Sequence, residues 1–189
     1  MDGWHAGRAL EIAVAAPDDR CMTRSFLIRD ARLPEEKPQL CAFIDALQLF
    51  EHAFEPDRRL DARIAEEYFD AMVPHALAYN GRVLVAEAPA DAPTGGLIGW
   101  AVVHEDMNEI FVEERERLQG YVSELFVAEA ARGTGVGRAL LEACEDWARS
   151  RKLAVMTIGA LSANARAVGV YGRAGFEPYT VRLRKYLRD

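Results

Sequence analysis

Residues 129–143 read "EAARGTGVGRALLEA". Three glycines, Gly133, Gly135 and Gly137, fall within five positions, and an apolar Ala/Leu run follows at once. Glycine spaced this way suits a turn that must bend and stay bare, and it would weaken a helix. The residues before it, "YVSELFV" (121–127), read as a strand. Those after it, "GRALLEACEDWARSRK" (137–152), put Leu140, Leu141, Cys144, Trp147 and Ala148 on one face of a helix. Strand, glycine turn and helix in this order make an anion-binding device. The first N–H groups of the helix lack intrahelical partners, and the helix dipole adds partial positive charge there. Glycine lets phosphate oxygens reach the backbone. Arg132 and Arg138 add charge at the edges.

Two phosphate-binding turns are excluded. The P-loop needs Lys and Ser/Thr after its last glycine, whereas Gly137 is followed by Arg138 and Ala139. The dinucleotide fingerprint G-x-G-x-x-G/A fails from Gly133, where the sixth position is Arg138, and from Gly135, where it is Leu140. The pattern that fits is R-x-x-G-x-G, as Arg132-Gly133-Thr134-Gly135-Val136-Gly137. A tight strand-to-helix connection with no ligand is the plain alternative.

Outward from this turn, the chain reads as one mixed α/β domain. "SFLIRDAR" (25–32) is a strand. "LPEEKPQLCAFIDALQLFEHAF" (33–54) is an amphipathic helix with acids in its first turn. "DARIAEEYFDAMVPHALAY" (61–79) is a second helix, kinked or stopped near Pro74. "RVLVAEA" (82–88) and "LIGWAVVHE" (97–105) flank a short Pro/Gly loop and predict an antiparallel pair. "LAVMTIGA" (153–160) is a buried strand, "SANARAVGVYGRAGF" (162–176) a short helix that Asn164 caps and Gly175 closes, and "EPYTVRLRKYL" (177–187) a last strand with alternating faces.

Composition narrows the function. The chain has 189 residues, half of them hydrophobic, and a net charge of −7. That balance argues against a general nucleic-acid binder and is compatible with a cationic partner. Three scattered cysteines, Cys21, Cys41 and Cys144, form no CxxC pair and no metal-ligand spacing, so they read as reduced thiols in a cytoplasmic protein without a metal. The four histidines show no ligand spacing either. No apolar run reaches ~18 residues, so no membrane span is expected. Residues 1–24 read as a poorly ordered extension rather than a signal peptide, since Glu11 interrupts the apolar patch Ala9–Ala16, and Met22 is an alternative start.

The turn 132–137, directly after "LFV", resembles the pyrophosphate-binding turn of the GCN5-related N-acetyltransferases. "NARAVGVYGRAGF" resembles the later motif of that family, N-x6-Y-x3-GF, as Asn164, Tyr171, Gly175 and Phe176. The strand and helix order matches from about Ser25 to Leu187, so the resemblance implies that residues 25–189 are the N-acetyltransferase domain. The resemblance implies a mixed, mostly antiparallel sheet flanked by helices, the acyl-CoA N-acyltransferase fold, with acetyl-CoA as co-substrate. Around "SELFV…RGTGVG" alone it also looks like the polyamine and diamine branch.

The resemblance also implies roles. The strand ending at Val127 carries a bulge, and the backbone of Leu125, Phe126 and Val127 pairs with the pantetheine arm in the manner of strand addition. Arg132, Gly133, Thr134, Gly135, Val136, Gly137 and Arg138 cradle the pyrophosphate. Asn164 lies on the cofactor arm, Tyr171 lies near the thioester sulfur, and the Val127 N–H faces the oxyanion. An alkylammonium must lose a proton before it attacks, and Glu124, just before "LFV", is a candidate base if burial raises its pKa. Glu87, Glu105 and Asp106 are rivals. Six acids between His104 and Arg117 form either an acidic rim at the acceptor site or a solvated loop.

Direct transfer from acetyl-CoA to a primary amine is the expected reaction, since no cysteine lies on the motif strand. The acceptor is a small cationic amine (polyamine, diamine or aminoglycoside) or a protein N-terminus or lysine. A non-catalytic acyl-CoA sensor is the reading from another class. Dimerisation is common in the family, and the sequence itself carries no sign of it.

Overall fold

The computed structural model describes residues 26–92 and 95–187. The expected N-terminal extension, with Cys21, lies outside the described residues. Five strands form one sheet in sequence order: β1 (Leu27–Asp30), β2 (Arg82–Ala88), β3 (Gly96–Met107), β4 (Leu118–Val127) and β5 (Met156–Ile158). The first four pair antiparallel, and β5 runs parallel to β4. The mixed, mostly antiparallel sheet expected from the sequence is therefore present.

Helices α1 (Lys37–His52) and α2 (Ile64–Ala78) cover one face. Their apolar stripes bury Leu40, Ile44, Phe69 and Val73 against Val85, Trp100, Val102 and Phe126. Helix α4 (Val136–Ser150) covers the other face, where Leu140, Cys144, Trp147 and Ala148 meet Leu84, Ala101, Val103 and Val122. These are the residues whose spacing predicted that helix. A short helix α3 (Glu114–Arg117) precedes β4, and α5 (Ala165–Arg173) follows β5.

Four details depart from the sequence reading. Helix α1 begins at Lys37, so Glu35 and Glu36 precede it, and Glu36 accepts from the Arg29 guanidinium instead of serving the helix dipole. Pro74 neither stops nor ends α2, which continues to Ala78. The N–H that proline lacks would have served the carbonyl of exposed Asp70, which water can serve instead. The strand expected over 153–160 shrinks to three residues. The last strand, 177–187, does not form: these residues are exposed and carry no regular structure. Alternation there supplies strand propensity, but a strand also needs an edge, and β5 offers only three residues of one. Arg184 ties the segment to Glu55 and Asp57 beyond α1.

Two irregularities in β4 position the site. Val102 pairs with Glu124 while Val103 pairs with Val122, so Ser123 is an extra residue, a β-bulge. Without it, Tyr121 and Glu124 would lie on opposite faces. With it, Tyr121, Glu124 and Phe126 all face the α1/α2 side, and Val122, Leu125 and Val127 face α4. The second irregularity is a parting of strands. β4 and β5 pair only from Gly120–Met156 to Val122–Ile158. Beyond that point β4 continues to Val127 paired with β3 alone.

Candidate active site

The parting opens a cleft of about 520 Å³. Its floor is β4 from Ser123 to Val127, and its walls come from α1, the glycine turn, the segment after β5, and α5. The Ala128 N–H bonds to the Ile98 carbonyl. By the alternation of an antiparallel ladder, the backbone groups of Leu125 and Val127 then point away from β3, toward the parting. An extended ligand there would find the Leu125 backbone groups and the Val127 N–H on an unpaired strand edge, the Val127 carbonyl being held by Arg132.

One end of the cleft is made of backbone. Gly133 and Gly135 take φ of +83° and +90°, conformations that side-chain-bearing residues rarely adopt. Gly135 is the N-cap of α4 and supplies no side-chain cap, so the first N–H groups of the helix are left for a ligand. Gly133, Gly135, Gly137, Arg132 and Arg138 line the cleft. Thr134 and Val136 do not. The Thr134 hydroxyl donates to the Ala131 carbonyl, and Val136 is buried in the core under β3. The arginines are partly engaged: Arg132 donates to the Val127 carbonyl and lies over Phe50, and Arg138 pairs with Glu142. Arg166 and Arg173 of α5 also line this cleft and carry no signal in any motif.

The other end is made of side chains. Glu124 is buried, and its Oε1 accepts a hydrogen bond of 2.7 Å from the Tyr68 hydroxyl of α2. Its Oε2 is buried and has no partner among the described residues. Burial raises the Glu124 carboxyl to about 7, the Tyr68 bond opposes that rise, and the nearby Glu51 carboxylate adds to it. A hydrogen bond to a charged group is worth ~1.5–3 kcal/mol, too little to offset the loss of water around a buried carboxylate. The group therefore titrates near neutrality instead of near 4.5.

Tyr171 of α5 lines the same cleft. Burial, and then the Glu124 charge, push its phenol up to about 12, so it keeps its proton at neutral pH. Asn164 caps α5, its side chain accepting from the Ala167 N–H at 3.0 Å, and it too borders the cleft. Gly175 closes the helix at φ +93°, as its spacing predicted. The structure thus gathers Glu124, Leu125, Phe126, Val127, Arg132, Gly133, Gly135, Gly137, Arg138, Asn164 and Tyr171 around one cleft.

The rival carboxylates lie elsewhere. Glu87 is bonded to Arg29, and Glu105 to Asn80 and Arg151; these partners hold both carboxyls below their usual range. Asp106 accepts from Gln119. None of the six acids between His104 and Arg117 lines the cleft, which sits toward the other end of β4. Cys41 and Cys144 are free and buried, and burial pushes the Cys144 thiol up to about 12. No group of three or more potential metal ligands occurs among the described residues. Among the same residues, no helix is long and apolar enough to cross a membrane.

The cleft fits an acyl-CoA on two counts: an unpaired strand edge for an amide-bearing arm, and an uncapped helix with glycines at positive φ for a pyrophosphate. Residues 43–176 match the Acetyltransferase (GNAT) family. No curated protein matches the chain significantly. Among solved structures, a tetramutant of the BH1408 protein of Bacillus halodurans superposes with a TM-score of 0.70 at 18% identity, covering 85% of this chain and 99% of that one. Glucosamine-6-phosphate N-acetyltransferase of Arabidopsis thaliana gives 0.60 at 16%, covering 86% and 99%. AAC(6')-Iy, in complex with the bisubstrate analogue CoA-S-monomethyl-acetylneamine, gives 0.58 at 18%, covering 87% and 98%.

Proposed function

Because the chain belongs to the acetyltransferase (GNAT) family, it is an acetyl-CoA-dependent N-acetyltransferase, and we propose that residues 25–189 transfer the acetyl group directly to the primary amine of a small cationic acceptor. The observation that carries the proposal is the cleft itself: Glu124 and Tyr171 line it near one another, together with the glycine turn.

Acetyl-CoA supplies the activated acyl group. Glu124 takes a proton from the incoming ammonium, which is almost wholly protonated at pH 7. A carboxyl titrating at about 7 is matched to that task. Tyr171 gives its proton to the departing sulfur, whose thiol has a pKa of ~8.5. The Val127 N–H, turned toward the parting, supports charge on the carbonyl oxygen. The N–C bond forms as the C–S bond breaks. The amine gives up one proton to Glu124 and, after attack, a second that replaces the one leaving Tyr171, so one proton is released overall.

The acceptor class rests on charge. Glu124 and Glu51 both border the cleft, a setting that favours a cation. Glu51 is partly countered by Arg58, which bonds it at 3.0 Å. Polyamines, diamines and aminoglycosides fit this chemistry, and AAC(6')-Iy and glucosamine-6-phosphate N-acetyltransferase are structural neighbours whose names carry small amine acceptors. The buried thiols of Cys41 and Cys144 suit a reducing, cytoplasmic compartment. Release of free thiol from acetyl-CoA is measured with 1,4-diaminobutane, spermidine, an aminoglycoside and a lysine peptide in parallel. Turnover with the small amines is expected. Turnover with the peptide alone would move the acceptor to protein, and saturable acetyl-CoA binding without any turnover would make the chain a sensor.

A further inference from the structure

We propose that Tyr68 is a positioning residue for Glu124: by occupying Oε1 from the side of α2, it leaves Oε2 as the single oxygen that exchanges a proton in the cleft. This rests on Glu124 acting as the base.

The geometry carries the assignment. Tyr68 lies 56 residues before Glu124 and reaches it across the sheet face. Its ring packs against the apolar core of that face, so the hydroxyl has little freedom. Helix α2 is in turn fixed by Phe69, whose ring stacks on the fully buried Trp100 with centroids 6.5 Å apart. A carboxylate without such a partner could rotate about its last bond and offer either oxygen. With Oε1 occupied, rotation breaks a buried hydrogen bond, which is costly. The partnership survives the chemistry as well. Once Oε2 holds the proton, Oε1 is a carbonyl oxygen and still accepts from the same hydroxyl. Burial keeps the Tyr68 phenol protonated throughout, so it remains a donor.

Two ionisable groups act on Glu124, Tyr68 from α2 and Glu51 from α1, and Glu124 in turn raises the phenols of Tyr121 on β4 and Tyr171 on α5. None of them is a cation. The Tyr68 hydroxyl alone among them is hydrogen-bonded to the carboxylate and favours its ionised form. Tyr68→Phe keeps the ring and removes only that donor.

The test reads Glu124 directly in the free enzyme. Carbon-13 NMR of glutamate-labelled protein follows the side-chain carboxyl through a pH titration, and Glu124→Gln assigns the signal. In Tyr68→Phe the midpoint is expected to rise by about one pH unit. With 3,5-difluorotyrosine placed at position 68, a more acidic donor, the midpoint is expected to fall, so two variants of opposite sign guard against misfolding of either. A midpoint unmoved in both folded proteins overturns the proposal. The acid limb of acetyl-CoA turnover, with 1,4-diaminobutane as the probe amine, is expected to follow the midpoint. That costs Tyr68→Phe about ten-fold at pH 6 and little at pH 9. A limb that stays in place while the midpoint moves overturns Glu124 as the base, and with it the catalytic part of the proposal; an unmoved midpoint overturns Tyr68 alone.

Discussion

The two ends of the cleft are built on opposite plans. The end proposed for the phosphates comes from one short stretch, Arg132 to Arg138, five residues of which line the cleft, and relies on backbone: two glycines at positive φ and an uncapped helix. The reacting end comes from α1, α2, β4 and α5, and relies on side chains that meet only after folding. A local device is robust because its parts cannot drift apart. A convergent one is tunable because each part can be altered by a different element.

Breaking the reacting end should give the largest effect. Glu124→Gln is expected to lower kcat about 100-fold or more at pH 7 while leaving the KM for acetyl-CoA within about two-fold. Steady-state kinetics with varied acetyl-CoA checks it, and a matched rise in KM would erase the distinction between the ends. Breaking the phosphate end should do the reverse. Gly135→Val forces a β-branched residue to φ +90°, although a Cβ there meets no neighbour within 4 Å. The expected outcome is a rise of about ten-fold in the KM for acetyl-CoA, with kcat largely kept, and a stability loss of ~1–3 kcal/mol. Isothermal titration with CoA and a melting curve separate the two.

A further effect concerns stability rather than turnover. The Glu124 carboxyl is raised in the folded state, so between about 4.5 and about 7 the folded protein binds more protons than the unfolded chain. Stability from this group is therefore fully present below 4.5 and is lost as pH rises through 7. Glu124→Gln, which cannot ionise, should melt higher than the parent at pH 8, by up to ~3 kcal/mol of stability, and the gap should shrink below ~1 kcal/mol by pH 5 and close below about pH 4. A gap independent of pH would mean that the carboxylate is better solvated than its burial implies.

The same contrast explains what could be read in advance. The glycine turn, the α4 face and the cap at Asn164 are written in adjacent residues, and each follows from local rules on φ, helix periodicity and capping. Glu124 was visible only as a residue beside a motif, with its face undetermined, because one unpaired residue in β4 decides that face. Tyr68 and Glu51 gave no signal at all: on their own helices they are ordinary members of amphipathic patterns. The failed strand at 177–187 teaches the converse. Val181 and Leu183 alternate with charged neighbours as a strand should, yet Val181 is 83% and Leu183 90% exposed, because periodicity specifies a face and not a partner.

Ser123 gives β4 a change of parity. Before it, odd-numbered side chains look toward α1 and α2; after it, even-numbered ones do. β4 is in effect two short strands spliced out of phase, and the splice lies one residue from where β4 loses β5 as a neighbour. A scan of substitutions along β4 would thus read like a metre that skips a beat at 123. Any relative carrying one residue fewer there would have to present a different side chain to the reacting group, whatever the rest of its sequence preserved.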